Sequence, residues 1–174
     1  MTKTTFSIAE IHPADREDVR RLLEKSWTET YVSELGSEIA GRLVAQLAQD
    51  DIAGLMPRTD ETVFVARGKR GLQGCAISAA RHGITYLWGF YVLKEFQRCG
   101  IGSELLKRAV SAHGSANSVE LVVLKSSVAA SRFYSSMGFQ MTADVQFEIA
   151  PGINLPAEKM AGSASEIIEQ VCLL

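Results

Sequence analysis

Residues 97–102 read Gln97-Arg98-Cys99-Gly100-Ile101-Gly102, between the apolar stretch Thr85–Val92 and a helical pattern over Gly102–Ala112. A strand therefore passes into a helix through two glycines. Glycine at such a junction admits turn conformations closed to other residues and removes the side chains that would hold a ligand off the backbone. The first-turn N–H groups of the helix, backed by the positive end of its dipole, then face the loop, and an anion fits there best. The spacing excludes two familiar phosphate binders. A dinucleotide fingerprint requires a third glycine where Leu105 stands and an acidic residue further on. A nucleoside-triphosphate loop requires four residues between its glycines, then Lys with Ser or Thr, and no stretch supplies them.

A second segment narrows the reading. Leu121-Val122-Val123-Leu124 is a short apolar run, followed by Lys125-Ser126-Ser127 and then by Ala130, Phe133, Tyr134, Met137, Gly138 and Phe139. Gln-x-x-Gly-x-Gly at 97–102 and Ala-x-x-Phe-Tyr-x-x-x-Gly-Phe at 130–139 together resemble the signature stretches of the GNAT family of N-acetyltransferases. They occur in the family's order, with a helix and a strand between them, and Phe90-Tyr91-Val92 resembles the strand end ahead of the loop. Ser127 stands where the family has Asn. The resemblance is close over Thr85–Phe139, rests on element order alone in the N-terminal part, and hardly reaches the C-terminal tail.

The resemblance implies an acyl-coenzyme-A site. Gln97, Arg98, Cys99, Gly100, Ile101, Gly102 and Ser103 would hold the pyrophosphate, and Phe90, Tyr91 and Val92 the pantetheine arm, which adds alongside the strand like another strand. It also implies that Tyr134 is the acid for the departing thiolate. Ser127 would contact the cofactor arm with shorter reach than the family's Asn. Each assignment has a plainer reading beside it: Tyr134 as a core aromatic whose hydroxyl finds a backbone partner, Ser127 as the N-cap of the helix starting at Val128, Cys99 as a small loop side chain.

Acetyl transfer to an amine makes its own chemical demands. An alkylamine with a pKa of about 10.4 is almost wholly protonated near neutral pH and cannot attack a thioester until that proton leaves. Attack creates an oxyanion that backbone N–H groups can hold, and collapse expels a thiolate that departs more easily once protonated. The positions where some family members carry a glutamate base fall near Leu87 and Val122, both apolar. Glu24 and Glu29 on the first helix, or Tyr91 through water, are the substitutes, although a solvated helix face explains the carboxylates equally. No base is named. Trp27, Tyr31, Trp88 and Phe90 either line an acceptor pocket, as that region does in the family, or pack the core.

Composition bounds the rest. The 174 residues, 47% hydrophobic and 22% charged, suit one soluble globular domain. A formal net charge of −2, with basic residues scattered, argues against nucleic-acid binding. No apolar run approaches the roughly 20 residues that span a bilayer, and Met1–Ser7 are too polar for a secretory core, so a cytoplasmic location is expected. Cys75, Cys99 and Cys172 are far apart, with no Cys-x-x-Cys, and free thiols are expected without a metal site. His12, His82 and His113 are read as surface or capping residues.

Along the chain, Thr5–Ile11 alternates as a strand, and Asp15 and Asp18 open a helix to about Tyr31, with Val19, Leu22, Leu23 and Trp27 at helical spacing. Ser37 caps a second helix carrying Ile39, Leu43, Val44 and Leu47. Thr62–Ala66, Gly74–Ala79 and Thr85–Val92 form an antiparallel meander. The helix from Gly102, the strand Val119–Leu124, the helix Val128–Met137, a strand over Gln140–Ile149 and a last short strand near Asn154–Met160 follow. The stripe Ala130, Phe133, Tyr134, Met137 faces inward, and Ser163–Leu174 forms a terminal helix. This order describes an α/β domain over 1–174, a mixed, mostly antiparallel sheet with helices on both faces, as in the GNAT fold.

The expected activity is transfer of acetyl from acetyl-CoA to a primary amine of a small molecule or peptide, by direct attack in a ternary complex. The alternatives are a non-catalytic acyl-CoA sensor, and an interaction module using the apolar tail Ile167–Leu174. Many relatives dimerise, so a homodimer is open.

Overall fold

The apolar alternation of the central segments becomes a meander in the computed structural model, which describes residues 5–174; the first four residues of the stretch Met1–Ser7 lie outside it. Strand β1 (Phe6–Glu10) leads through a 3₁₀ turn, Pro13–Asp15, into α1 (Arg16–Leu35) and α2 (Ser37–Gln46). Strands β2 (Glu61–Gly68), β3 (Gly71–Arg81) and β4 (Ile84–Val92) follow, then α3 (Ile101–Ser111), β5 (Ser118–Leu124), α4 (Val128–Ser136), β6 (Gln140–Ala150), β7 (Ile153–Ser163) and α5 (Ala164–Cys172). The seven strands pair in the order β1-β2-β3-β4-β5-β7-β6. All pairs are antiparallel except β4 with β5.

Helices cover both faces. On one, Val19, Leu22, Leu23 and Trp27 of α1 and Leu43 of α2 pack on Val63, Val65, Cys75 and Ile77. On the other, Leu105, Leu106 and Ala109 of α3, Tyr134 and Met137 of α4 and Ile167 and Val171 of α5 pack on Ala66, Ala76, Leu87, Val119 and Leu121. The tail therefore spends Ile167 and Val171, 0% and 6% exposed, on this chain's own core. Leu173 and Leu174 remain outside it.

Several local expectations shift. Helix α1 runs on to Leu35, and Gly36, with φ 86°, ends it and starts α2, so Ser37 is the first helical residue and caps nothing. His12 does cap: its Nδ1 accepts from the Ala14 amide at 3.1 Å, and its own N–H donates to Asp15 at 2.9 Å. His113 is partly exposed and turns its ring inward. Its Nε2 lies 3.0 Å from the hydroxyl of the fully buried Ser78, and desolvation holds its pKa below the ordinary value. Strand β7 runs to Ser163, longer than the expected Asn154–Met160.

Two features of β4 shape the molecule. Gly74 pairs with Val92 and Cys75 with Tyr91, but Ile77 pairs with Trp88, so Gly89 and Phe90 both stand opposite Ala76. That is a β-bulge, and Gly89 makes it with φ +58°. A Cβ there would come within 2.2 Å of Leu55 and 2.6 Å of Ile77. Gly89→Ala is accordingly expected to lower stability by roughly 2–4 kcal/mol, from overpacking added to a strained φ. Chemical denaturation reads this directly, and an unchanged midpoint would contradict the bulge.

The second feature is a parting of strands. Strand β4 pairs with β5 only at Ile84–Ser118, Thr85–Val119 and Tyr86–Glu120. Residues 87–92 of β4 and 121–124 of β5 then run on without pairing to each other, while β5 stays paired to β7 as far as Leu124. The sheet is split down its middle.

Candidate functional site

The open edge of β4 offers backbone groups to that split. The Leu93 amide donates to the Gln73 carbonyl at 2.9 Å, and groups two residues apart on a strand point the same way. Tyr91 therefore bonds toward β3, whereas the N–H groups of Phe90 and Val92 face the split. The Val92 carbonyl faces it too, and the Gln97 side-chain amide donates to that carbonyl at 3.0 Å. The Gln97 side chain is thus a clasp that folds the loop back against the strand end.

The loop itself follows from its residues. Arg98 takes φ 63° and Gly100 φ 86°, and Gly100 caps α3 with no side chain accepting from the first turn. Those N–H groups are left to a ligand or to water. Gln97, Arg98, Cys99 and Gly100 are exposed, and the Cys99 thiol turns back on the Gln97 carbonyl at 3.5 Å. Ile101 is 1% exposed and serves as a core anchor that fixes the helix start; Ser103 is half-buried beside it. A Cβ on Gly102 would lie 3.4 Å from the Phe133 ring and 3.9 Å from Phe90. The loop, β4 and α4 therefore converge at this glycine.

Aromatic rings fill the convergence on the α3 side of the sheet. Phe90 stacks on Phe133 at 5.8 Å and meets Tyr134 edge-on at 6.0 Å, and Tyr134 meets Phe139 at 5.5 Å. Tyr134 is 7% exposed, and burial, with Tyr31 adding to it, pushes its phenol well above the ordinary range. It stays a proton donor at any working pH. On the other side, Trp27 packs on Tyr91 at 5.8 Å and on Tyr31 at 6.1 Å. Burial raises the phenols of Tyr31 and Tyr91, which are hydrogen-bonded to each other. Trp88 is drawn instead under Arg81, whose guanidinium lies 5.7 Å from its ring centre.

One row of α1 crosses the split. Trp27, Tyr31 and Glu34 are spaced i, i+4, i+7 and share a face over about 10 Å of helix. Trp27 rests on β4, whereas Glu34 accepts a hydrogen bond from Ser127, beyond the end of β5, at 2.7 Å, and from Ser126 at 3.5 Å. Tyr31 in between comes near enough to Tyr134 of the opposite layer to help hold that phenol up. Helices on opposite faces of a sheet meet only where the strands part. Ser127 occupies the N-cap position of α4 but makes no cap hydrogen bond, because its hydroxyl is committed to Glu34.

The suggested substitutes for a base separate here. Glu24 and Glu29 are exposed on the outer face of α1, where Lys25 pairs with Glu29 and with Glu95. They are the solvated helix face. Tyr91 lies at the split, and Glu34, which periodicity from Trp27 and Tyr31 would have flagged, lies there with it. Val122 is 44% exposed and Leu87 is buried; neither takes a proton. Among the described residues no group of His, Cys, Asp or Glu is arranged to hold a metal ion, and no helix is long and apolar enough to cross a membrane.

Comparison with known proteins agrees with this fold. Residues 59–141 match the family model of the acetyltransferase (GNAT) domain. No curated protein matches the sequence. Among solved structures, the chain resembles the PaiA N-acetyltransferase of Thermoplasma acidophilum in complex with coenzyme A, with 18% identity, a TM-score of 0.73 and coverage of 91% of this chain and 99% of that one. It also resembles a GCN5-related N-acetyltransferase from Rhodopseudomonas palustris, with 15% identity, TM-score 0.72 and 94% and 98% covered. The ribosomal-protein-S18-alanine N-acetyltransferase of Escherichia coli superposes with 16% identity, TM-score 0.67 and 92% and 94% covered. At these identities the likeness shows a common fold.

Proposed function

We propose that this chain, whose residues 59–141 match the GNAT acetyltransferase domain, is an acyltransferase that moves an acetyl group from acetyl-CoA to a primary amine by direct attack in a ternary complex. The whole chain, 1–174, acts as one domain in this reading. What carries it is the continuous line of unclaimed backbone donors from Phe90 and Val92 at the split to the first turn of α3.

The pantetheine lies along β4 in the gap, where the Phe90 and Val92 amides replace the missing β5 ladder. The pyrophosphate sits on the α3 N-terminus between Arg98 and Ser103, held by amides that Gly100 and Gly102 leave uncovered. The amine, freed of its proton, attacks the thioester carbonyl, and the N–H groups at the bulge hold the oxyanion. Collapse breaks the C–S bond, and Tyr134 delivers the proton that leaves coenzyme A as a thiol. The nitrogen sheds its second proton to water and the Tyr134 phenolate takes one back, so the turnover releases one proton net.

No acyl-enzyme stage is needed. Cys75, beside the bulge, is buried and its thiol is pushed to about 12, so it supplies no thiolate. Ser127, which the resemblance would place on the cofactor arm, retains oxygen lone pairs for it while donating its proton to Glu34. The expected assay result is release of free thiol from acetyl-CoA that depends on an added primary alkylamine. Coenzyme A binding with no thiol release for any amine would leave a sensor in place of an enzyme.

A further inference from the structure

The amine acceptor must approach from the α1 side, since α3 and α4 close the other side with Phe90, Phe133 and Tyr134. Glu34 is the charged group of the Trp27-Tyr31-Glu34 face that spans the split. Its Oε2 accepts from two neutral hydroxyls, Ser127 at 2.7 Å and Ser126 at 3.5 Å, which hold the carboxylate in place. Among the described residues, no Lys or Arg pairs with it. Other carboxylates around the molecule do have such partners: Asp15 with Arg67, Asp60 with Arg81, Glu120 with Lys159, Asp144 with Lys125. A half-buried anion that a protein positions without a counter-ion is a seat for a cation from outside.

We propose, resting on the acetyl-transfer reading above, that Glu34 is the counter-ion of the acceptor and makes the enzyme select alkylammonium acceptors over amines that carry a carboxylate of their own. The free Oε1 accepts an N–H from the ammonium. Tyr31, one turn back, adds an aromatic surface that suits a cation. The same charge repels the carboxylate of an amino acid, so selection is by attraction and by exclusion together. The contact is made before the chemical step, and it acts through acceptor affinity.

Calorimetry with n-butylamine, 1,4-diaminobutane and γ-aminobutyrate, in the presence and absence of coenzyme A, tests this. The native chain is expected to bind both cationic amines and to bind γ-aminobutyrate at least tenfold more weakly, as one desolvated charge contact implies. Glu34→Gln keeps a hydrogen-bonding partner for Ser127, so the fold is retained. It should weaken both amines by roughly tenfold or more and erase the discrimination against γ-aminobutyrate. Glu34→Asp should recover part of it, and in turnover the change should fall on the acceptor KM, leaving the acetyl-CoA KM unmoved. Equal amine affinities in the native and Glu34→Gln proteins, or no amine binding to either, would overturn the inference. A chain that ignores coenzyme A yet discriminates amines through Glu34 would sink acetyl transfer and spare this assignment.

Discussion

Gly100→Val is expected to reduce acetyl-CoA affinity by at least 100-fold, the largest single effect foreseen. Gly100 holds φ 86° as the cap of α3, a conformation that costs a β-branched residue on the order of 1–2 kcal/mol. No protein atom lies within 4 Å of where its Cβ would stand, so the new side chain intrudes on the space proposed for the ligand and hardly on the core. Relaxing the strain would turn the first-turn amides away from the pyrophosphate. A charged diphosphate losing several such contacts sheds a few kcal/mol, and 1.4 kcal/mol is tenfold. Isothermal titration with acetyl-CoA measures it, with circular dichroism to verify the fold. Affinity within threefold of native would place the diphosphate elsewhere.

Tyr134→Phe should lower kcat by about 100-fold or more, the usual scale for removing a positioned acid. Acetyl-CoA affinity should hardly change, because the ring and its contacts with Phe90, Phe133 and Phe139 stay. The pH dependence separates this from a packing defect. Burial lifts the phenol well above the ordinary value, so in the native enzyme the acid stays protonated and causes no alkaline fall in kcat below about pH 10. The variant loses the acid at every pH, and its profile drops without moving. Unchanged turnover would remove Tyr134 from the reaction.

Much of this arrangement was legible in the sequence because it depends on local rules. Strand alternation, the glycines at 97–102 and the inward stripe on α4 are short-range patterns, and they locate the meander, the loop and Tyr134. What the sequence hid depends on contacts between distant segments. Reading α1 as ending near Tyr31 stops one turn short of Glu34, and nothing local reveals that Ser127, 93 residues away, would donate to it. For the same reason Ser127 reads as a cap: its local option is visible and its tertiary one is not. Strand β7 carries Pro156 within it, a residue that normally interrupts a ladder. Here its carbonyl faces Lys125 at the end of β5, so the missing N–H points where the neighbouring strand has stopped, and the ladder loses little.

Positions 87 and 122 of the strands are apolar, so the counter-ion proposed for the acceptor comes from α1. A carboxylate arriving from α1 stands in the opening that neither β4 nor β5 supplies with one. Acceptor recognition is then separated from the loop that holds the acyl carrier, and the two can be mutated independently.

The central claim is that main-chain donors along the split and at the start of α3 grip acetyl-CoA. Amide chemical shifts recorded by NMR during titration with acetyl-CoA test it most directly. The account predicts that the largest changes fall on Phe90, Val92 and Gly100 to Ser103, saturating together. Saturation with those amides unmoved and the shifts gathered on the outer face of α1 or along β6 would contradict it.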